Sequence, residues 1–88
     1  MEAKSVIQGF AIVVCDRGYV YVGDCTIDDH FCVIKNAKNI RRYGTAKGLG
    51  ELVNGPLENT VLDDFGTVRI PARAIINIID ADGIKWNA

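Results

Sequence analysis

SVIQGFAIVVCDRGYVYVGDCTIDDHFCVIK, residues 5–35, decides the fold class of this chain. Its apolar runs are rich in Val, Ile, Tyr and Phe, and short polar clusters containing Gly or Asp separate them. Such runs are typical of β-strands, and such clusters are typical of tight turns. The stretch predicts a three-stranded meander with strands over residues 5–14, 19–24 and 30–35, a turn at residues 16–18 and a polar tip at residues 26–29.

The one predicted helix covers residues 45–54. Thr45 is a plausible N-cap, and the apolar side chains of Leu49, Leu52 and Val53 recur at the spacing of one helical face. An Asn-Gly-Pro sequence at the end of the segment is a strong stop signal. Two glycines inside the segment weaken the helix, so we expect it to depend on packing against a sheet.

The second half of the chain also predicts strands. Residues 38–43 are expected to form an edge strand or the approach to the helix, and residues 66–70 alternate between apolar and polar side chains. Residues 74–79 are the most apolar run and predict a buried closing strand. Five or six short strands with one short helix favour a mainly β fold, a small closed barrel, because closure removes exposed sheet edges.

Length and composition predict a single small domain over residues 1–88. A chain of this size has little core to spare, and self-association is a common remedy. No apolar run reaches the roughly 18 residues that a membrane helix needs. The first residues lack the basic and then apolar layout of a signal peptide. We therefore expect a cytoplasmic protein, in the host cytoplasm if a phage encodes it.

The cysteines predict buried, reduced thiols rather than a metal site. There are three, Cys15, Cys25 and Cys32, and no Cys-x-x-Cys pair occurs. The one histidine, His30, is two residues from Cys32, which is too sparse a ligand set for zinc. The sequence thus predicts neither a metal nor a cofactor.

Half of the ten basic side chains lie in KNAKNIRRYGTAK, residues 35–47, which contains none of the eleven acidic ones. A basic stretch with an aromatic residue on an otherwise acidic chain suits an anionic ligand such as a nucleotide or a phosphodiester backbone. Guanidinium groups can fork onto phosphate oxygens, and a tyrosine ring can stack on a base. The candidate ligand-binding residues are Lys38, Arg41, Arg42, Tyr43, Thr45 and Lys47.

Two alternatives to a ligand site remain open. The basic segment can be a solvated surface that only gives solubility. The glycines of residues 44–50 lack the Gly-Lys-Ser/Thr ending of a phosphate-binding loop, so backbone flexibility is their expected role.

Asp29 and His30 offer an acid and a base, but the sequence places no nucleophile or metal cluster with them. We expect no enzymatic activity.

The chain resembles a family of short, functionally uncharacterised phage and prophage proteins that are predicted to be SH3-like barrels. The matching motifs are Val20-Tyr21-Val22-Gly23, the apolar strand and Asn-Ala of residues 32–40, Tyr43-Gly44, residues 49–55 and the closing hairpin of residues 66–80. Residues 23–37 also echo, more loosely, the first half of Sm-like proteins. The likeness implies a small SH3-like or Sm-like β-barrel and a phage origin, and implies no activity.

Three functions remain as hypotheses. The first is a homo-oligomeric accessory protein that binds a nucleotide or a cyclic oligonucleotide and, in a phage, sequesters a host immune signal. The second is a module that binds RNA or DNA through the same basic segment. The third is an inhibitor that binds a host protein. Trp86 lies in the polar C-terminal tail, residues 82–88, and is expected to be a subunit or ligand contact.

Overall fold

The computed structural model describes residues 7–46 and 48–86 as one antiparallel β-sheet with short helical turns. The elements are β1 (Ile7–Cys15), β2 (Val20–Ile27), β3 (Phe31–Arg42), β4 (Val61–Pro71), β5 (Ile75–Asp80) and the α-helix α1 (Gly83–Trp86). Short 3-10 helices lie at Asp16–Gly18, Leu49–Leu52 and Ala72–Ala74. The strand order β4-β3-β2-β1-β5 makes the fold mainly β, as the sequence predicts.

The predicted meander of the first three strands is confirmed. Positive φ angles at Arg17 (60°) and Gly18 (82°) close the turn between β1 and β2. At the tip between β2 and β3, the Asp28 carboxylate accepts hydrogen bonds from the backbone N–H groups of His30 and Phe31, at 2.8 and 2.9 Å. Such local bonds fix a tight turn, so the two hairpins follow from turn chemistry that the sequence displays.

The prediction of a closed barrel is wrong for the described residues, because β4 and β5 remain as opposite edges of the sheet. After Pro71 the chain is tied back to the hairpin tip by a hydrogen bond from Ala72 N–H to His30 O, at 2.8 Å. It then crosses to β5 through the 3-10 turn Ala72–Ala74. β5 pairs with β1, and no pairing joins it to β4.

The predicted helix over residues 45–54 is also corrected. Only Leu49–Leu52 is helical, as a single 3-10 turn, and its N-cap position is Gly48 rather than Thr45. Leu49 and Leu52 do pack on the sheet, so their spacing identified the apolar face correctly. The flanking glycines, with φ of 108° at Gly48 and 120° at Gly55, end the helix early. No helix of the described residues is long and apolar enough to cross a membrane.

β5 is an exposed edge strand and not the buried closing strand that its composition predicts. Ile76 is 65% exposed and Ile78 is 36% exposed. β5 hydrogen-bonds only to β1 within the described sheet, with a register shift near Cys15. Apolar residues are buried only where another element covers them, and no element within residues 7–46 and 48–86 covers Ile76 and Ile78.

The sheet has an apolar cluster on each face, and β1 contributes to both. One cluster, which defines the cysteine face, contains Ala11, Val13, Cys15, Cys25, Cys32, Ile34, Ala37 and Ile70. The other, which defines the tryptophan face, contains Ile12, Val20, Val22, Ile40, Leu52 and Trp86. Alternate β1 residues point to opposite faces, so β1 is buried on both sides of the sheet.

Trp86 is part of this core, which corrects its expected role as a subunit or ligand contact. The side chain is 7% exposed, and its indole Nε1–H donates a hydrogen bond to Leu52 O at 2.8 Å. Its ring centroid lies 6.2 Å from that of Phe10. α1 thereby fastens the 3-10 turn Leu49–Leu52 onto the tryptophan face.

The prediction of buried thiols is confirmed for Cys15, Cys25 and Cys32, all of which are free and buried. Burial, with smaller contributions from Cys32 and Asp16, raises the pKa of the Cys15 thiol from its ordinary value of 9.0 to about 11. A hydrogen bond with Cys32, followed by burial, raises the pKa of Cys25. The same hydrogen bond lowers the pKa of Cys32. The thiols of Cys15 and Cys25 are therefore neutral core groups at neutral pH.

The raised pKa of Cys15 predicts a loss of stability at alkaline pH. The unfolded chain releases this proton near pH 9 and the folded chain near pH 11, so the thiol's contribution is complete below pH 9 and falls as the pH rises towards 11. Urea unfolding from pH 8 to pH 11 is expected to show a steeper decline for the wild type than for Cys15→Ala. Equal slopes for the two proteins would contradict the prediction.

Candidate functional site

A paired irregularity in β3 and β4 determines where the basic segment lies. Asn36 has a φ of 53° and Gly66 a φ of 74°, and the register shifts where Ala37 pairs with Gly66. Before this point Ile34 packs on the cysteine face, whereas after it Ile40 packs on the tryptophan face. One inserted residue therefore reverses the alternation of β3, and the basic residues that follow change faces with it.

Acidic residues of β4 pair with two of the predicted ligand-binding cations. Lys38 Nζ lies 2.7 Å from Asp64 Oδ1, and Arg41 Nε lies 3.0 Å from Asp63 Oδ2. By strand register, Lys38 and Asp64 belong to the tryptophan face, whereas Asp63 belongs to the cysteine face. The structure thus does not gather these cations into one pocket.

The other basic residues are spread along an extended strand. Lys35 and Arg42 are exposed, and the ion pairs found among the described residues involve neither of them. Seven residues of β-strand separate the two by about 23 Å. Thr45 is half-buried in the connection that follows β3, and Lys47 lies outside the described residues. The site predicted from sequence is therefore a row of charges along β3 and not a cradle.

The end of that row, Arg42 with Tyr43, is held on a constrained backbone. Tyr43 O accepts a hydrogen bond from Thr60 Oγ1 at 2.6 Å, and the same hydroxyl accepts one from Leu57 N–H at 2.9 Å. Gly44 follows with a φ of 68°, packed so closely that a Cβ there would lie 2.5 Å from the carbonyl carbon of Asn59. Tyr43 is 37% exposed. An exposed cation and an exposed aromatic residue are therefore neighbours in the chain where the backbone is constrained.

A concavity of about 200 Å³ opens beside Lys38 at the irregularity of β3 and β4. Asn36, Ala37, Lys38, Asp64 and Gly66 line it. It offers an ammonium group, a side-chain amide and a carboxylate to a small polar group. The Lys38–Asp64 pair lies at its wall, so an incoming anion would compete with Asp64 for Lys38.

A second concavity, of about 460 Å³, was not foreseen from the sequence. It lies between the β2–β3 tip and the end of β4, and its lining residues are Asp29, His30, Phe31, Pro71, Ala72 and Arg73. Asp29 and His30 drew attention in the sequence as a possible acid and base, but Arg73 did not. Pro71 ends β4, and this proline is the sequence signal for the turn that places Arg73 beside the β2–β3 tip.

Aromatic residues form a contact row at the open end of the cysteine face. The Tyr19 and Tyr21 rings stack with centroids 6.5 Å apart, and the Phe65 ring meets Tyr21 edge-on at 5.7 Å. Tyr19 is 57% exposed and Phe65 is 52% exposed. Flat, accessible rings of this kind can stack on the bases of single-stranded nucleic acids.

No protein-family model, curated protein or solved structure matches this chain. The resemblance to the phage proteins is consequently still a hypothesis, and the fold stands on the structure alone. Within residues 7–46 and 48–86, no group of three or more His, Cys, Asp or Glu side chains is arranged to hold a metal ion.

Replacing Gly44 tests the constrained backbone at the end of the basic row. Gly44→Ala is expected to destabilise the fold by at least about 2 kcal/mol, because its φ is positive and its Cβ would collide with the Asn59–Thr60 backbone. Gly50→Ala is the matched control, since its Cβ would meet no atom within 4 Å and its φ is not positive. Denaturant unfolding measures both, and an equally mild effect of the two changes would contradict the prediction.

Proposed function

We propose that this chain is a non-enzymatic binding protein that holds a phosphate-bearing ligand, a nucleotide or a cyclic oligonucleotide, at the Arg42–Tyr43 end of its basic row. The observation that supports this most is that an exposed arginine and an exposed tyrosine are consecutive in the chain, on a backbone that Thr60 and Gly44 constrain. Such a pair can contact a phosphate and a base at the same time. The fixed backbone reduces the ordering cost of binding.

The ion pairs with Asp63 and Asp64 weaken the basic row without removing it as a candidate. Both pairs are exposed, with side-chain exposures of 38% and 84% for Lys38–Asp64 and 66% and 40% for Arg41–Asp63. Exposed pairs of this kind contribute about 0.2–1 kcal/mol. A phosphate with more than one negative charge can therefore displace the carboxylate, while Arg42 needs no such exchange.

The proposal extends to self-association and sequestration. Two exposed strand edges and a small core favour assembly with further copies. A protein that binds without converting its ligand acts by lowering the ligand's free concentration. In a phage protein, the ligand would then be a nucleotide signal of the host's defence.

Isothermal titration with a ligand panel tests the proposal. The panel contains cyclic dinucleotides, a cyclic trinucleotide, the matching linear dinucleotides, a mononucleotide and inorganic phosphate. Arg42→Gln is expected to weaken binding of the best ligand by about tenfold to a hundredfold, because it removes a charge-assisted hydrogen bond. Tyr43→Leu is expected to weaken nucleotides but to leave phosphate unchanged.

Two further arginines serve as controls in the same titration. Arg69→Gln removes an exposed charge on β4 opposite Val33, nine residues along β3 from Arg42, and is expected to leave affinity unchanged. Arg73→Gln tests the larger concavity. A loss of binding with Arg73→Gln but not with Arg42→Gln would reject the assigned site, and the absence of heat for the whole panel would reject the ligand class.

A second candidate function is binding of single-stranded nucleic acid, and the aromatic row favours it. The Tyr21 ring contacts those of both Tyr19 and Phe65 on the cysteine face, where Arg41 and Asp63 also pair. Cations that are spread along β3 match the repeated phosphates of a nucleic-acid backbone better than they match one compact ligand. Stacking on the rings would then supply affinity without sequence specificity.

Fluorescence titration with labelled single-stranded RNA and DNA at several salt concentrations separates this candidate from the first. If phosphate contacts supply the affinity, the logarithm of the binding constant falls steeply and linearly with the logarithm of the salt concentration. Phe65→Ala is expected to reduce affinity by about tenfold to a hundredfold through lost stacking. Ile84→Ala, which changes an apolar residue that is 85% exposed in α1, is the control. An equal response of the two variants would exclude the aromatic row.

A further inference from the structure

The β5 edge is the most exposed apolar part of the sheet. Ile76 and Ile78 are 65% and 36% exposed, and β5 carries no charged residue before Asp80. The opposite edge, β4, is protected by charges, by the irregularity at Gly66 and by Pro71 at its end. Charges, bulges and prolines are the devices that prevent edge-to-edge association. Between Ile75 and Ile79, β5 has no charge and no proline, and its one irregularity is the register shift against β1 at Ile76. This lightly protected apolar edge indicates an edge that is used.

The sequence of β5 is nearly the same in both directions. Residues 75–79 read Ile-Ile-Asn-Ile-Ile, a palindrome centred on Asn77. In an antiparallel pair of two β5 strands with a two-fold axis at Asn77, Ile76 of one copy lies opposite Ile78 of the other. A two-fold interface requires such a self-complementary surface, because each residue meets the partner's equivalent set.

The main-chain groups of β5 are directed correctly for this pairing. Ala81 N–H donates a hydrogen bond to Phe10 O of β1, at 3.1 Å. Because main-chain groups alternate in direction along an antiparallel strand, Asn77 and Ile79 also face β1. Ile78 then directs its N–H and C=O groups away from the sheet, and Ile76 lies at the register shift between Asn77 and Ile75, where it has no partner residue in β1. In the two-fold arrangement these residues are opposite each other and can exchange hydrogen bonds.

The charges at the ends of β5 complement each other in the same arrangement. Asp80 at one end lies opposite Ala74 of the second copy, next to that copy's Arg73. The symmetry repeats this contact at the other end, so two Asp80–Arg73 pairs flank the isoleucines. An isoleucine centre with charged ends is the usual organisation of a specific interface.

We propose that two copies of this chain pair through β5, antiparallel about Asn77, to form one continuous ten-stranded sheet. This inference specifies the self-association part of the proposed function. It rests on the β5 edge and is independent of whether the basic row binds a nucleotide. The pairing closes on itself, so it produces a dimer and not a fibre.

Sedimentation equilibrium without any ligand tests the pairing. The wild type is expected to have twice the 9.6 kDa mass of one chain. Ile76→Lys is expected to raise the dimer dissociation constant at least about a hundredfold, because the dimer loses two buried isoleucines and brings lysines together. Ile84→Lys adds the same charge at the 85% exposed position in α1 and is expected to leave the dimer intact. Circular dichroism verifies that both variants fold.

Cross-linking tests the symmetry axis. Asn77→Cys is expected to form a disulfide-linked dimer under mild oxidation, since the two Asn77 residues face each other at the axis. Thr67→Cys on the β4 edge is the control and is expected to remain uncross-linked. The native cysteines are buried and do not compete.

Three results would overturn the pairing. They are a single-chain mass at all protein concentrations, an oligomer that Ile76→Lys does not weaken, and cross-linking through Thr67→Cys in place of Asn77→Cys. A dimer that binds no member of the ligand panel would leave this inference standing and reject only the proposed ligand.

Discussion

The change of alternation at Asn36, opposite Gly66, is the constraint on which the arrangement of this protein depends. It lets β3 contribute Ile34 to one apolar cluster and Ile40 to the other. A regular strand would place its apolar residues on a single face, and the tryptophan face would lose its β3 contribution. The same irregularity turns Lys38 to the face of Ile40, so core formation and the position of the charges have a common cause.

Much of the sheet could be predicted from the sequence, because alternation and turn residues act locally. The β1–β2–β3 meander needed no information from distant residues. The extension of β3 beyond Asn36 was less accessible, since a polar stretch interrupts its pattern and only its pairing with β4 supports it. β5 shows the opposite difficulty. Composition indicates that isoleucines prefer burial, but not whether the fold supplies an element to cover them.

The candidate site was predictable in its residues and not in its arrangement. The density of basic side chains between residues 35 and 47 is evident in the sequence. Their acidic partners, Asp63 and Asp64, are more than twenty residues further along the chain and approach only when β4 pairs with β3. Electrostatic neutralisation of this kind depends on strand register, and one sequence without its fold does not reveal it.

The indole of Trp86 has a consequence beyond stability. It is the only tryptophan of the chain, and its Nε1–H is bonded to Leu52 O in the segment that follows the basic row. Ultraviolet-excited emission from this protein therefore comes chiefly from one shielded chromophore, which is bonded to the segment that follows Arg42 and Tyr43 in sequence. Any event that loosens the turn at Leu49–Leu52 would shift that emission towards longer wavelengths, which gives the molecule an intrinsic optical reporter without a label.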